Sequence, residues 1–170
     1  KPNVENLGLE AAGITYERHG IVVDKQLRTT NKKVYAIGDV AGALQFTHVA
    51  NYHASLVIRN ALFRLPARVN NDVIPWVTYT DPELAHVGLT EANARKKFRK
   101  IRILRQSYHD NDRAQTEREP HGHIKVIASK RGRILGATIV GHQAGELISV
   151  WTLAIAQNLN IRSIAELVVP

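Results

Sequence analysis

The amino-acid sequence predicts an α+β protein in two parts, and three observations carry that expectation. Short runs rich in β-branched and aromatic residues, Ile74 to Thr80, Ile101 to Gln106, Ile124 to Ala128 and Ile134 to Val140, have the length and composition of strands. Two longer stretches, Thr47 to Arg64 and Ala144 to Leu159, repeat apolar or small residues at helical spacing. Ala67 to Asp72, ARVNND, is a polar link of turn-forming residues between them, dividing the chain into 1–67 and 68–170.

The elements follow in order. Lys1 to Gly13 supports no more than a short helical turn before its glycine stop, and Ile14 to Asp24 carries a β-branched run, Ile21 to Val23, that suits a strand. Val34 to Ile37 reads as a short apolar strand ending at Gly38 and Asp39. The next helix takes Thr47 as its N-cap, presents a small-residue stripe of Ala50, Ala54, Val57 and Ala61, and stops before Pro66. After Ile74 to Thr80, the residues Asp81, Pro82 and Glu83 break the strand, and Leu84 to Val87 begins another that ends at Gly88. Thr90 caps a helix to about Phe98. His109 to His123 reads as a polar loop, and the two strands after it form a hairpin whose turn is supplied by Gly132. The helix from Ala144 is apolar over more than one face, so it needs a second contact surface besides its own sheet. Ser163 to Val168 reads as a last short helix.

Composition removes several function classes. With 44% hydrophobic and 22% charged residues the 170-residue chain fits an ordinary soluble core. No apolar run is long enough to span a membrane and the first residues lack a signal-peptide core, so a cytoplasmic protein without a membrane partner is expected. There is no cysteine, hence no disulfide, thiolate nucleophile or cysteine metal site in these residues. Methionine is absent even at position 1, which points to a longer gene product or to processing. The net charge of +8 raises nucleic-acid binding. Its densest cluster, Arg95 to Arg105, spreads over several faces and has only Phe98 as an aromatic platform, so a solvated basic face is the reading and no nucleic-acid partner is expected.

The chemistry centres on Gly38 and Asp39. In open α/β sheets ligands lie beyond the carboxyl ends of strands. A glycine there admits close approach, and a carboxylate accepts hydrogen bonds from sugar or polyol hydroxyls. The amides that open the helix at Phe46, Thr47 and His48 favour an electron-rich group of the same ligand. His48 is read as packed near that ligand and His86 as structural. His109, Asp110, Asp112, Glu117, Glu119, His121 and His123 include every ligand type a metal wants, but nothing fixes them relative to one another, and no metal site is expected. There is no GxSxG elbow, no GxGxxG and no GxxxxGK loop, so no catalytic side chain is assigned.

Three stretches together resemble the FAD-dependent pyridine nucleotide-disulfide oxidoreductases, the family of dihydrolipoamide dehydrogenase, glutathione reductase and mercuric reductase. TNKKVYAIGD, Thr30 to Asp39, is similar to the family's C-terminal flavin-binding segment; WVTYTDPELAHVGLTE, Trp76 to Glu91, to the opening of its dimerisation domain; ILGATIVGHQAGELI, Ile134 to Ile148, to its hairpin-to-helix junction. The resemblance implies that Asp39 contacts the FAD ribitol, that the helix start at Phe46, Thr47 and His48 faces the flavin pyrimidine, and that residues 1–67 end an FAD-binding domain while 68–170 form a dimerisation domain. It further implies a homodimer, NAD(P) bound by a domain outside these residues, and membership of a multienzyme complex if the parent is a dihydrolipoamide dehydrogenase. Lys1, Pro2 and Asn3 resemble the end of a Gly-Arg-x-Pro-Asn motif, and Val168 to Pro170 lie where a His-Pro-Thr and a following Glu are expected next. The chain alone is then expected to be inactive, to dimerise through the helix around Trp151 and to bind FAD weakly or not at all. A non-catalytic adaptor module is the alternative, with a basic nucleic-acid binder behind it.

Overall fold

The computed structural model describes residues 2–168, so expectations placed on Lys1, Val169 and Pro170 fall outside the described residues. The chain divides into two compact units between Asn70 and Asn71.

The first unit is built from turns, one hairpin and one helix. Its opening turn closes in a Schellman pattern: Ile14 N–H bonds the Leu9 carbonyl at 2.8 Å, and Gly13 N–H bonds that of Glu10 at 3.0 Å. Strands β1 (Tyr16–Glu17) and β2 (Gly20–Ile21) pair antiparallel, so the β-branched run expected as a strand contributes only its first residue. Val34 to Ile37 is not a strand. It makes a single antiparallel bridge, Arg28 to Tyr35. The reason lies in its partner: the Asp24 carboxylate accepts from the N–H groups of Gln26 (2.8 Å) and Arg28 (3.0 Å), and Leu27 turns left-handed at φ 66°, leaving little extended backbone to pair with.

Helix α1 (Thr47–Ala61) follows. Phe46, in extended conformation, is its N-cap, so Thr47 is the first helical residue and no side chain caps the end. The helix stops three residues short of Arg64, which lies in the left-handed region at φ 55°. Its buried face is Val49, His53, Leu56 and Asn60. The expected small-residue stripe is rotated off that face: Ala50, Ala54 and Val57 are half-buried and Ala61 is exposed. Asn60 ties the chain's return, donating to the Ala67 carbonyl at 2.9 Å and accepting its N–H at 2.8 Å, and Ala67 packs with Leu27 and Leu56.

The second unit is a five-stranded antiparallel sheet with helices on it, an α+β arrangement. Strands β3 (Trp76–Thr78), β4 (Glu83–Gly88), β5 (Ile101–Ser107), β6 (His123–Ser129) and β7 (Ile134–Gly141) lie in the order β3-β4-β7-β6-β5. Alternation sorts the residues by face. Ala85, Val87, Val126, Ala137 and Ile139 form one core with Ile148, Ala154 and Ile155 of helix α4 (Ala144–Ala156). On the other face Ile127 and Leu135 pack with Ala94 of helix α2 (Glu91–Lys97) and with Phe98. Thr90 caps α2 as expected, its hydroxyl accepting from Asn93 N–H at 3.3 Å.

The segment expected as a polar loop holds helix α3 (Asp112–Glu117), which forms because the Asn111 carboxamide accepts from Ala114 N–H at 2.9 Å. Helix α4 ends at Ala156, ahead of Leu159, where Asn158 takes φ 54° and Leu159 N–H bonds back to Ala154. The last helix, α5 (Ile161–Ala165), starts two residues earlier than Ser163 because Asn160 caps it. Among the described residues no helix is long and apolar enough to cross a membrane.

Candidate functional site

The Gly38–Asp39 pair opens a 3-10 turn, Gly38–Ala41, entered from extended backbone at Ile37. Gly38 sits at φ 65°, where a side chain is disfavoured. A Cβ on Gly38 would also stand 3.0 Å from the Ala50 Cβ, so the turn rests directly on the first turn of α1. Its backbone is tied at both ends: Gly38 N–H donates to His53 Nδ1 at 3.1 Å, and Gly42 N–H donates to the Asp39 carbonyl at 3.1 Å. Behind it the hairpin comes within backbone contact, since a Cβ on Gly20 would meet the Gly42 nitrogen at 2.6 Å.

This framing leaves the Asp39 side chain exposed, and no ion pair or side-chain hydrogen bond of the described residues engages its carboxylate. Thr47 and His48 are exposed at the start of α1, and the half-buried Phe46 ring stacks on His48 at 5.3 Å with 15° between planes. The Val49 and Ala50 N–H groups both point back to the Phe46 carbonyl, at 3.0 and 3.1 Å. With no acidic residue in its first turn and no side-chain cap, this end of the helix keeps its partial positive charge. An exposed carboxylate thus stands on a turn packed against an uncapped helix start. That donor and acceptor set fits a ligand carrying a polyol and an electron-rich carbonyl.

His53 is the residue the sequence reading missed. It is buried, and burial pushes its pKa below the ordinary histidine value. Because Nδ1 accepts from Gly38, the ring proton resides on Nε2. The signal was present in the spacing Val49, His53, Leu56 and Asn60, one residue out of phase with the alanine stripe.

The other histidines are separate. His86 is buried in the sheet with both ring nitrogens engaged, Nδ1 with the Thr138 hydroxyl at 2.8 Å and Nε2 with the Gly88 carbonyl at 3.0 Å, beside the Trp76 ring. Burial is the main cause of its lowered pKa. Among the described residues no three His, Asp or Glu side chains are gathered to hold a metal, and His121 lies outside the strand that His123 begins. Two members of the basic cluster, Arg95 and Arg105, share one carboxylate with Lys125. Glu91 takes the Lys125 ammonium at 2.6 Å and Arg95 at 2.8 Å, with Arg105 at 3.9 Å, and the Lys125 and Arg95 bonds pull its pKa down to about 2. Lys125 and Arg105 are cross-strand partners, so Glu91 screens a like-charge pair.

Comparison with known proteins agrees over the whole chain. Residues 74–170 match the family model of the pyridine nucleotide-disulphide oxidoreductase dimerisation domain, and residues 1–54 match that of pyridine nucleotide-disulphide oxidoreductases. A mercuric reductase of Bacillus cereus is 38% identical over 172 residues, covering 100% of this chain and 27% of the relative. A dihydrolipoyl dehydrogenase of Staphylococcus aureus is 37% identical over 167 residues, covering 97% of this chain and 36% of the relative. Among solved structures, the HOCl-induced flavoprotein disulfide reductase RclA from Escherichia coli superposes with a TM-score of 0.88 at 28% identity, over 100% of this chain and 40% of that one. LpdA from Mycobacterium tuberculosis gives 0.92 at 26% identity, over 99% of this chain and 37% of that one. The chain therefore spans roughly a third of the length of the relatives it matches.

Proposed function

We propose a function from one premise: the chain belongs to the pyridine nucleotide-disulphide oxidoreductase family. The protein containing it is an FAD-dependent oxidoreductase, and these residues supply part of the flavin site and the homodimer interface. When bound, FAD supplies the two-electron chemistry between NAD(P) and a disulfide-type acceptor. The chain's own residues bind and orient. Asp39 accepts hydrogen bonds from the ribitol hydroxyls, Gly38 sets the turn that aims it, and the start of α1 at Phe46, Thr47 and His48 places amide donors and partial positive charge toward the flavin pyrimidine. The observation that carries this reading is the exposed, unengaged Asp39 carboxylate on a turn seated against an uncapped helix start.

Residues 68–170 are read as the dimerisation domain. Support comes from α4, where Leu147, Val150 and Leu153 expose apolar surface while the opposite side packs in the core. NAD(P) binds elsewhere in the parent protein, and the acceptor is of the dihydrolipoamide or mercuric-ion kind for which the relatives are named. If it is dihydrolipoamide, a multienzyme complex is the partner. The location is cytoplasmic.

The test is the absorbance spectrum and flavin affinity of the full-length protein. One FAD per chain is expected, with Asp39→Ala weakening FAD binding at least about tenfold, since a carboxylate accepting hydroxyl bonds is worth roughly 1.5–3 kcal/mol. A full-length protein that binds no added FAD overturns the reading.

A further inference from the structure

We propose that His53 is a positioning residue for the flavin site: its neutral imidazole, through Nδ1, fixes the Gly38 amide and thereby holds the Asp39 carboxylate at the angle at which it meets the cofactor. The inference rests on the FAD reading above and adds a residue that touches no cofactor.

Geometry carries it. Gly38 is buried and its N–H points into the protein, where His53 Nδ1 at 3.1 Å is its acceptor. A buried amide without an acceptor is costly, so the turn and the ring are coupled. The far end of the turn is held separately, by Val40 and Ala41 packed against the core of the first unit and by Gly42 N–H on the Asp39 carbonyl, so the entry at Gly38 is the part the ring fixes. Gly38 lies at positive φ and has no side chain to anchor the entry to the turn, and Asp39 follows it directly. The Ala50 methyl limits how close the turn can come to α1, but it sets no direction. The hydrogen bond does, because an imidazole nitrogen accepts only in its ring plane. The ring is itself held: it is buried on the α1 face between Val49 and Leu56, which are both buried. Rotation of Gly38 about its permissive backbone moves the next residue, and the next residue is Asp39.

The role needs an acceptor at the Nδ1 position, not a ring, and that separates positioning from packing. Asparagine places its carbonyl oxygen near Nδ1. Phenylalanine keeps the ring and removes the acceptor.

Three forms of the full-length protein test this: wild type, His53→Asn and His53→Phe. Two quantities are read, the FAD dissociation constant from flavin fluorescence and hydrogen exchange of the peptide containing Gly38 in the FAD-free protein. His53→Phe is expected to weaken FAD about tenfold and to speed exchange at that peptide, while His53→Asn stays within about threefold of wild type in both. Histidine nitrogen NMR on wild-type protein gives a reading that needs no variant to fold, with His53 Nδ1 expected unprotonated and Nε2 protonated. A protonated Nδ1, a His53→Phe protein with wild-type affinity and exchange, or a His53→Asn protein as impaired as His53→Phe overturns the proposal while leaving the FAD reading standing. A wild-type protein that binds no FAD overturns both.

Discussion

Helices α1 and α4 are 15 and 13 residues long, yet they are held in opposite ways. The buried face of α4 is Ala144, Ile148, Ala154 and Ile155, pressed on a sheet whose backbone is already satisfied by its neighbours. The buried face of α1 includes two polar residues, His53 and Asn60, and each is spent on the backbone of a turn: Gly38 in one case, Ala67 in the other. The helix starts differ as well. Glu83 of β4 accepts Gly145 N–H at 2.8 Å and supplies α4 with the negative charge its own cap residue, Gln143, does not. The start of α1 has no such carboxylate. Where a sheet supplies the hydrogen bonds, the buried face of a helix can be wholly apolar. Where only turns surround it, side chains take over, and the helix start is left uncapped.

Four substitutions break or sharpen this contrast, in falling order of effect. Ile139 is fully buried at the centre of the sheet, and Ile139→Ala should cost about 3–4 kcal/mol in urea unfolding of the second unit through lost transfer energy and a residual cavity. Asn60→Ala removes two bonds to a buried backbone pair in the first unit. A loss of about 2–3 kcal/mol is expected there, and an undiminished melting transition would show that Ala67 finds other partners. Asn111→Ala deletes the cap of α3 at about 1 kcal/mol, seen as faster amide exchange over residues 112–117 with the sheet unchanged.

The smallest effect belongs to Glu91. Its folded pKa of about 2 lies below the ordinary 4.5, so the stability it contributes is fully present above pH 4.5 and is lost as pH falls toward 2. The difference between wild type and Glu91→Gln should therefore shrink across that interval in acid unfolding curves. A difference that grows on acidification would mean that the Lys125 and Arg95 contacts do not favour the ionised form. Glu91 and Lys125 are only half-buried and Arg95 is exposed, so salt should reduce the effect further.

Much of this molecule was legible in the chain. The central strands β4, β6 and β7 announced themselves because each buries at least one face, and burial selects β-branched residues such as Ile127 and Ile139. The Thr90 cap was legible because a hydroxyl and the amide it serves are three residues apart. Helix α3 was less so, since six residues carry little periodicity and the Asn111 cap lies among polar neighbours that look like any loop. Val34 to Ile37 misled for a related reason. Its residues suit a strand, but a strand also needs a partner, and the partner segment had committed its amides to Asp24.

By itself the sequence determined the fold class and the family and singled out Asp39 as a candidate, because these depend on residue types at fixed spacing along the chain. Tertiary structure decided which face of α1 is buried, and with it the role of His53. The stripes 49-53-56-60 and 50-54-57-61 are one residue apart, about 100° around a helix, and apolarity alone favoured the second. The face that is buried carries Val49 and Leu56 into the core, ties Asn60 to Ala67, and brings His53 to the Gly38 amide fifteen residues away. A hydrogen bond between distant groups is a property of the packed molecule, and no local pattern records it.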